Sequence, residues 1–274
     1  MINSALMVAG DKQKHLDNIN NLKCDIAIIN LEDAVFDKKY ARQLVYDHLT
    51  NHTYSNKKIV IRVNSLQECG IEDIKLLNSV KPDAIRVPKI KTVKDIQTAL
   101  KLINKDIEVH LSIETKEAFN NLTKLKIDQR VTTVYLGILD LLESLDINQN
   151  ILKLNNPTID YILSKFLIDS KIAGFLPISF IYQDYKNIEE FTLWCKKEKS
   201  MGFESKACIS PSQVDIVNNI FKISTSEIAK ATYIKEIFEK ARLSGNSSIK
   251  DDKYGFIDEP IYKDAILTLK KFSI

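Results

Sequence analysis

Eight short runs rich in β-branched residues constrain this chain more than any other feature. They are SALMVA (4–9), DIAIIN (25–30), KIVIRVN (58–64), DAIRVP (83–88), IEVHLSIE (107–114), TTVYLGI (132–138), GFLPISF (174–180) and KACIS (206–210). Helical-looking segments fall between them, among them KKYARQLVYDHLT, TVKDIQTALKLINK and NIEEFTLWCKKEKSM. Alternating strands and helices read as a parallel sheet with crossover helices. Eight such units within about 220 residues predict a closed (β/α)8 TIM barrel, a fold that typically takes about 250 residues. An open doubly wound sheet is the alternative, but no G-x-G-x-x-G or G-x-x-x-x-G-K-[ST] supports it.

Two further helical stretches, 226–243 and 260–272, follow the eighth run, separated by the polar segment SGNSSIKDDKYG (244–255). The expected organisation is a barrel catalytic domain over 1–223 and a C-terminal helical extension over 224–274. The extension reads as a lid or as an arm onto a neighbouring subunit. Capping boxes are expected at Asn187/Glu190, Ser210/Gln213 and Ser224/Glu227.

The composition narrows the partners. A net charge of +3 with scattered basic residues does not suggest nucleic acid. No run approaches the ~18 apolar residues of a membrane span. The start, MINSALMVAGDKQKH, has no basic n-region and too short an apolar run for a signal peptide. The four cysteines, Cys24, Cys69, Cys195 and Cys208, form no Cys-x-x-Cys pair. A reduced, cytoplasmic setting is expected.

In a barrel the chemistry belongs at the C-terminal ends of the strands. The polar residues there are Glu32 and Asp33 after the second run, Arg62 and Asn64 in the third, Lys89 after the fourth, Glu114 ending the fifth and Asp140 after the sixth. In EVHLSIE, Glu108, His110, Ser112 and Glu114 share one side, so the strand presents a polar face to the interior. Glu114 and Asp140 suit a divalent cation, since two carboxylates plus water and substrate oxygens commonly hold Mg²⁺. They could equally be solvated loop residues or N-caps. Gly137 lets substrate approach the backbone, or eases a tight turn. Only five arginines occur among 39 basic residues. Arg62, inside an apolar strand, reads as a bidentate grip on a substrate carboxylate or thioester oxygen. An ion pair with Glu32 or Asp33 is the competing reading. His15, His48 and His52 read as surface residues, and His110 as a satisfied core residue.

INLEDAV followed by KKYAR, then IRVN, AIRVPK, LSIET, VYLGILDL, SPSQVDIVNNIF and YGFIDEP, occur in the order seen in the HpcH/HpaI aldolase/citrate lyase family. The resemblance is closest to its citrate lyase β-subunit-like branch and spans nearly the whole chain. It implies a (β/α)8 barrel and Mg²⁺-dependent cleavage or formation of a carbon–carbon bond. The implied substrate is a hydroxy-acyl thioester of CoA or an acyl carrier, or a small keto or hydroxy acid. By resemblance Glu114 and Asp140 are the metal ligands, Arg62 binds substrate, and Glu32 and Asp33 orient metal-bound water. Asp258 of GFIDEP is the general base or acid, delivered to a neighbouring subunit's site in a homo-oligomer. The resemblance departs at Asn3, Asn30, Ser179 and Ser210, where family members usually carry arginine, aspartate, aspartate and histidine. Those departures leave two alternatives beside the lyase: a CoA-independent 2-keto acid aldolase, or a non-catalytic subunit of a larger lyase complex.

Overall fold

The computed structural model describes residues 2–272. They divide into a first unit, Ile2–Phe221, and a second that begins at Lys222.

The first unit runs β1 (Ser4–Ala9), α1 (Gln13–Asp17), β2 (Ile26–Asn30), α2 (Lys38–Asn51), β3 (Lys58–Arg62), α3 (Gly70–Leu77) and β4 (Ala84–Val87). It continues α4 (Val93–Leu102), β5 (Glu108–Ile113), α5 (Lys116–Asn120), β6 (Val131–Leu136), α6 (Ile138–Ser144), α7 (Pro157–Ala173) and β7 (Leu176–Ile178). It ends with α8 (Ile188–Met201), β8 (Lys206–Cys208) and α9 (Pro211–Phe221). The strands pair in the order β7-β6-β5-β4-β3-β2-β1-β8, all parallel. The seam closes just beyond β7. There the Ser179 N–H donates to the Ser205 carbonyl (3.1 Å), and the Ala207 N–H donates to the Ser179 carbonyl (3.0 Å). This is the eight-stranded barrel that the alternation predicted.

Strand alternation divides the side chains into two environments. Val109, Leu111 and Ile113 of β5 face outward into the large apolar layer shared with the helices, as do Ile59 and Ile61 of β3. The inner cluster is smaller: Ala5, Ile26, Ile28, Val60, Ala84, Tyr135, Ile178 and Ala207. Barrel interiors are usually filled by branched apolar residues. Here that holds mainly on β7, β8, β1 and β2, whereas Arg62, Arg86, His110, Ser112 and Thr133 occupy the interior of β3 to β6.

The second unit contains α10 (Thr225–Leu243), β9 (Ile249–Asp251), β10 (Gly255–Ile257) and α11 (Glu259–Phe272). Its own core is Ala231, Ile234, Phe238, Ile257 and Ala265. The segment 244–255 read as a polar spacer. Instead it supplies an antiparallel hairpin, with Gly255 opposite Asp251. The Asp251 carboxylate accepts from the Lys253 and Tyr254 backbone N–H groups, and Gly255 adopts φ 75°, a turn chemistry that short strands with little apolar content conceal.

Three local expectations need correction. His48 is buried, its Nε2 2.7 Å from the Tyr54 hydroxyl and its ring 4.3 Å from that of His52. Ser210 does not form a full box: the Gln213 side chain accepts from the Ile209 and Ser210 N–H groups, but the Ser210 hydroxyl turns to Ser212. Complete boxes occur at Ser224/Glu227 and at Thr92/Asp95, the second unanticipated. Asn187/Glu190 is likewise not a full box: Asn187 caps α8 by accepting from the Glu190 N–H, but the Glu190 carboxylate accepts from the Asn187 side chain rather than from its backbone N–H.

Lys206 and Glu198 form a fully buried ion pair between β8 and α8 (2.6 Å), and the ammonium also donates to the Phe180 carbonyl (3.0 Å). Removing one partner strands a buried charge, which typically costs about 3–5 kcal/mol, whereas apolar replacement of both can be nearly neutral. Lys206→Met is expected to lower the urea unfolding midpoint strongly. Lys206→Met combined with Glu198→Leu is expected to recover most of that loss.

Candidate active site

The strand register sets the site. Asn30, Arg62, Arg86 and His110 lie opposite one another on β2, β3, β4 and β5. The residues that follow these strands therefore meet at the same end of the barrel. A cavity of about 230 Å³ there is lined by Asp33, Arg62, Arg86, Glu114, Gly137 and Asp140, together with Met7, Tyr135 and Gln183.

Arg62 is the electrostatic centre. Its Nη2 is in ionic contact with Glu32 and lies 3.7 Å from Asp33 and 3.6 Å from Glu114. The ion-pair reading of Arg62 is observed, since it pairs with Glu32, and the same guanidinium lines the cavity. Lys89 adds a second cation, 3.6 Å from Glu32 and 3.9 Å from Asp33. Burial works against the charge on Lys89, but Glu32 and Asp33 outweigh it and raise its pKa.

The acids are crowded. Burial pushes Glu32 up to about 7; Arg62 opposes the rise, while Glu114 and Asp33 add to it. Asp140 is raised by burial, and further by Glu114 and Asp33. It sits in the first turn of α6, where the helix dipole favours a negative charge.

Loop geometry fixes these groups. The Asn30 amide donates to the Asp33 carbonyl (2.6 Å) and its oxygen accepts from the Glu32 N–H (3.4 Å), folding the acid loop back on itself. An aspartate in its ionised form could not make the first of these bonds. Ala34, at φ 70°, completes the turn. Lys89 also adopts a left-handed φ of 52°, which aims its backbone N–H at Glu114 Oε1 (2.6 Å). Such backbone is uncommon for non-glycine residues. Gly137 is not in a left-handed turn. A Cβ there would lie 2.6 Å from Glu114 Cβ and 2.7 Å from Glu114 Oε2, so glycine leaves room for the carboxylate. Behind β3, the Asn64 N–H and amide donate to Asp73 (2.8 and 2.7 Å), which Arg42 holds from the other side (2.5 Å).

These residues fit a divalent cation. Glu114 Oε2 is buried without a hydrogen-bond partner, and neither Glu32 oxygen has a well-angled hydrogen bond. Among the described residues no group of three His, Cys, Asp or Glu side chains is placed to hold a metal ion. A hard cation held by Glu114 and Asp140, with water and substrate oxygens in its remaining positions, meets that donor set.

Other expected residues fall elsewhere. Asp258 belongs to the second unit and caps α11, accepting from the Ile261 N–H (3.3 Å). Asn3 lies at the opposite end of β1, its amide donating to the Glu204 carbonyl (2.9 Å), so that departure does not bear on the cavity. Arg86 and Tyr135, like Met7 and Gln183, line the cavity without being singled out by the sequence. The signal that singled out Arg62, an arginine within an apolar strand, applies equally to Arg86 in DAIRVP. A larger cavity of about 1020 Å³ adjoins the first through Met7 and reaches Asn30, Ala34, His15, Ile209 and Pro211.

A closed barrel with paired carboxylates, an arginine and an acid loop at its C-terminal rim defines a barrel of the aldolase and lyase type. The chain belongs to the HpcH/HpaI aldolase/citrate lyase family, whose model matches residues 3–211. It is 28% identical over 245 residues to the (3S)-malyl-CoA thioesterase of Cereibacter sphaeroides (strain ATCC 17029 / ATH 2.4.9), covering 88% of this chain and 85% of that one. It is 24% identical over 282 residues to the citrate lyase subunit beta of Escherichia coli (strain K12), covering 98% and 92%. Its fold matches that of CitE from Mycobacterium tuberculosis, solved in complex with magnesium, acetoacetate and coenzyme A. The TM-score is 0.80 at 18% identity, over 99% of this chain and 98% of that one.

Metal-free protein should show the Glu32 titration. A carboxyl whose folded pKa is raised contributes stability below its unfolded value, about 4.5, that is lost as pH rises through about 7. Urea midpoints in EDTA are expected to fall over that window, and the Glu32→Gln variant is expected to flatten the fall. Gly137→Ala should push Glu114 aside and weaken Mg²⁺ binding at least about tenfold by calorimetry, on the scale of losing one charged contact.

Proposed function

We propose that this protein is a Mg²⁺-dependent carbon–carbon lyase of the citrate lyase β-like type. It would act on a hydroxy-acyl thioester, of CoA or an acyl carrier, derived from a small organic acid. The observation that carries the reading is the buried Glu114 oxygen facing Gly137, which has no hydrogen bond and only the longer ionic contact with Arg62, in a cavity shared with Asp140 and Arg62. Glu114 and Asp140 are the metal ligands, and the bound cation supplies Lewis acidity at substrate oxygens.

The chain's own groups do the rest. Arg62 donates to oxygen that gains negative charge as the bond breaks. Glu32 and Asp33 hold Arg62 and Lys89 in place and orient water at the cavity. Gly137 keeps the wall open to the substrate. Asp258, from the C-terminal segment acting as a lid or as an arm reaching a neighbouring copy, moves the proton as general base or acid. The adjoining larger cavity has room for the bulky handle of a thioester, which favours this reading over a CoA-independent aldolase.

A homo-oligomer is supported by the exposed Tyr161, Ile168 and Ile172 on one face of α7. Four free thiols fit a reducing cytoplasm. No helix among the described residues is long and apolar enough to cross a membrane.

The test is turnover of (3S)-malyl-CoA and of free 2-keto and 2-hydroxy acids by purified protein, with and without Mg²⁺. Cleavage of the carbon–carbon bond to acetyl-CoA and glyoxylate, with the thioester intact, is expected, and EDTA should abolish it. Glu114→Ala should lower kcat/KM by at least about a hundredfold, the scale of losing a group that stabilises transition-state charge. Turnover of free acids alone would favour the aldolase. No turnover, together with stable co-purification of another lyase subunit, would overturn the catalytic reading.

A further inference from the structure

Among the described residues that line the cavity, Arg86 is the cation that the acids leave without an ion pair. Arg62 is shared among Glu32, Asp33 and Glu114. Arg86, level with it on the next strand, forms no ion pair among the described residues. Its Nε donates to the Ser112 hydroxyl (2.9 Å), and its guanidinium lies 4.1 Å from the centre of the Tyr135 ring. Tyr135 is itself held from below, its hydroxyl 3.2 Å from His110 Nδ1, while His110 Nε2 lies 3.2 Å from Glu108. The guanidinium is thus seated on two sides, with Nη1 buried and unsatisfied.

Arg86 is only 4% exposed and lines the cavity. A buried charged donor without an acceptor is costly. Burial and the neighbouring Arg62 both work against its charge, and Glu114 and Glu32 only partly offset them. Its planar fork matches a carboxylate. At about 230 Å³ the cavity is smaller than typical drug-sized ligand sites, so the acceptor is a small acid group.

We infer that Arg86, seated on Ser112 and Tyr135 at the floor of the cavity, binds a second carboxylate of the substrate and so selects dicarboxylates over monocarboxylates. The inference rests on the proposed reading of this cavity as the acid-binding site.

Malate and 2-hydroxybutyrate differ by a carboxylate in place of a methyl group. Calorimetric titration of each into the purified full chain with Mg²⁺ separates the cases. The expected result is that wild type prefers malate at least about tenfold, as one buried charged hydrogen bond would give. Arg86→Met should abolish that preference while leaving 2-hydroxybutyrate binding within about threefold of wild type, and Arg86→Lys should keep part of it. Where near-UV circular dichroism shows that Arg86→Met is unfolded, Arg86→Gln is judged by the same ratio. An unchanged preference in the variant, or equal weakening of both acids, overturns the role of Arg86 and leaves the cavity's acid-binding role intact. Failure of wild type to bind either acid overturns that wider reading, and this inference with it.

Discussion

The ionic contact between Arg62 and Glu32 is what the rest of this site depends on. Four carboxylates converge at one end of the barrel, and two of them, Glu32 and Glu114, are almost wholly buried. Without a cation among them, mutual repulsion and lost hydration would protonate or expel one. Arg62 reaches three of the four, and Lys89 supports it from the next loop. Even so, burial pushes Glu32 up to about 7, and Glu114 and Asp33 add to the rise that Arg62 opposes. Carboxylates crowded in this way suit a divalent ion.

That crowding governs the interior of the barrel. The polar side chains on β3 to β6 continue the site downward: Arg86 rests on both Ser112 and Tyr135, and Tyr135 leads through His110 to Glu108. The opposite wall is apolar and close-packed around Ile26, Ile28 and Ile178. One half of the barrel therefore carries the chemistry, and the other half supplies much of the inner packing. Glu108 ends the polar run at the far end, where hydrogen bonds from His110, Lys58 and Thr132 hold its carboxyl well below the usual range. The run is anchored at both ends, which limits rotamer freedom for the groups that face the ligand.

Two family departures acquire a physical meaning in three dimensions. Asn30 folds the acid loop through its amide, a bond an ionised aspartate could not donate, and Glu32 and Asp33 remain at the site. Asn3 ties the base of β1 to the segment before β8, at the end of the barrel away from the cavity. Neither side chain hydrogen-bonds to Glu114, Asp140 or Arg62.

The eight β-branched runs and the helices between them determine a parallel barrel, because alternation of this kind closes with few topologies. Strand periodicity alone places Glu108, His110, Ser112 and Glu114 on one inner face, and strand-end position alone brings out Glu32, Asp33, Arg62 and Asp140. Both are local properties of the chain. Only the tertiary structure decides which charge meets which. The pairing of Arg62 with three acids, the Lys89 N–H turned onto Glu114, and the space at Gly137 all depend on register between strands some 25 residues apart. The hairpin at 249–257 and the burial of His48 stayed hidden for more local reasons: the hairpin's strands carry little apolar pattern around the turn at Asp251, and the buried face of His48 is filled by Tyr54 and His52, polar residues that do not read as core. Arg86 marks the boundary between the two. Its presence in a strand is plain from the sequence, but its unsatisfied guanidinium emerges only when Arg62, on the neighbouring strand, has claimed the acids.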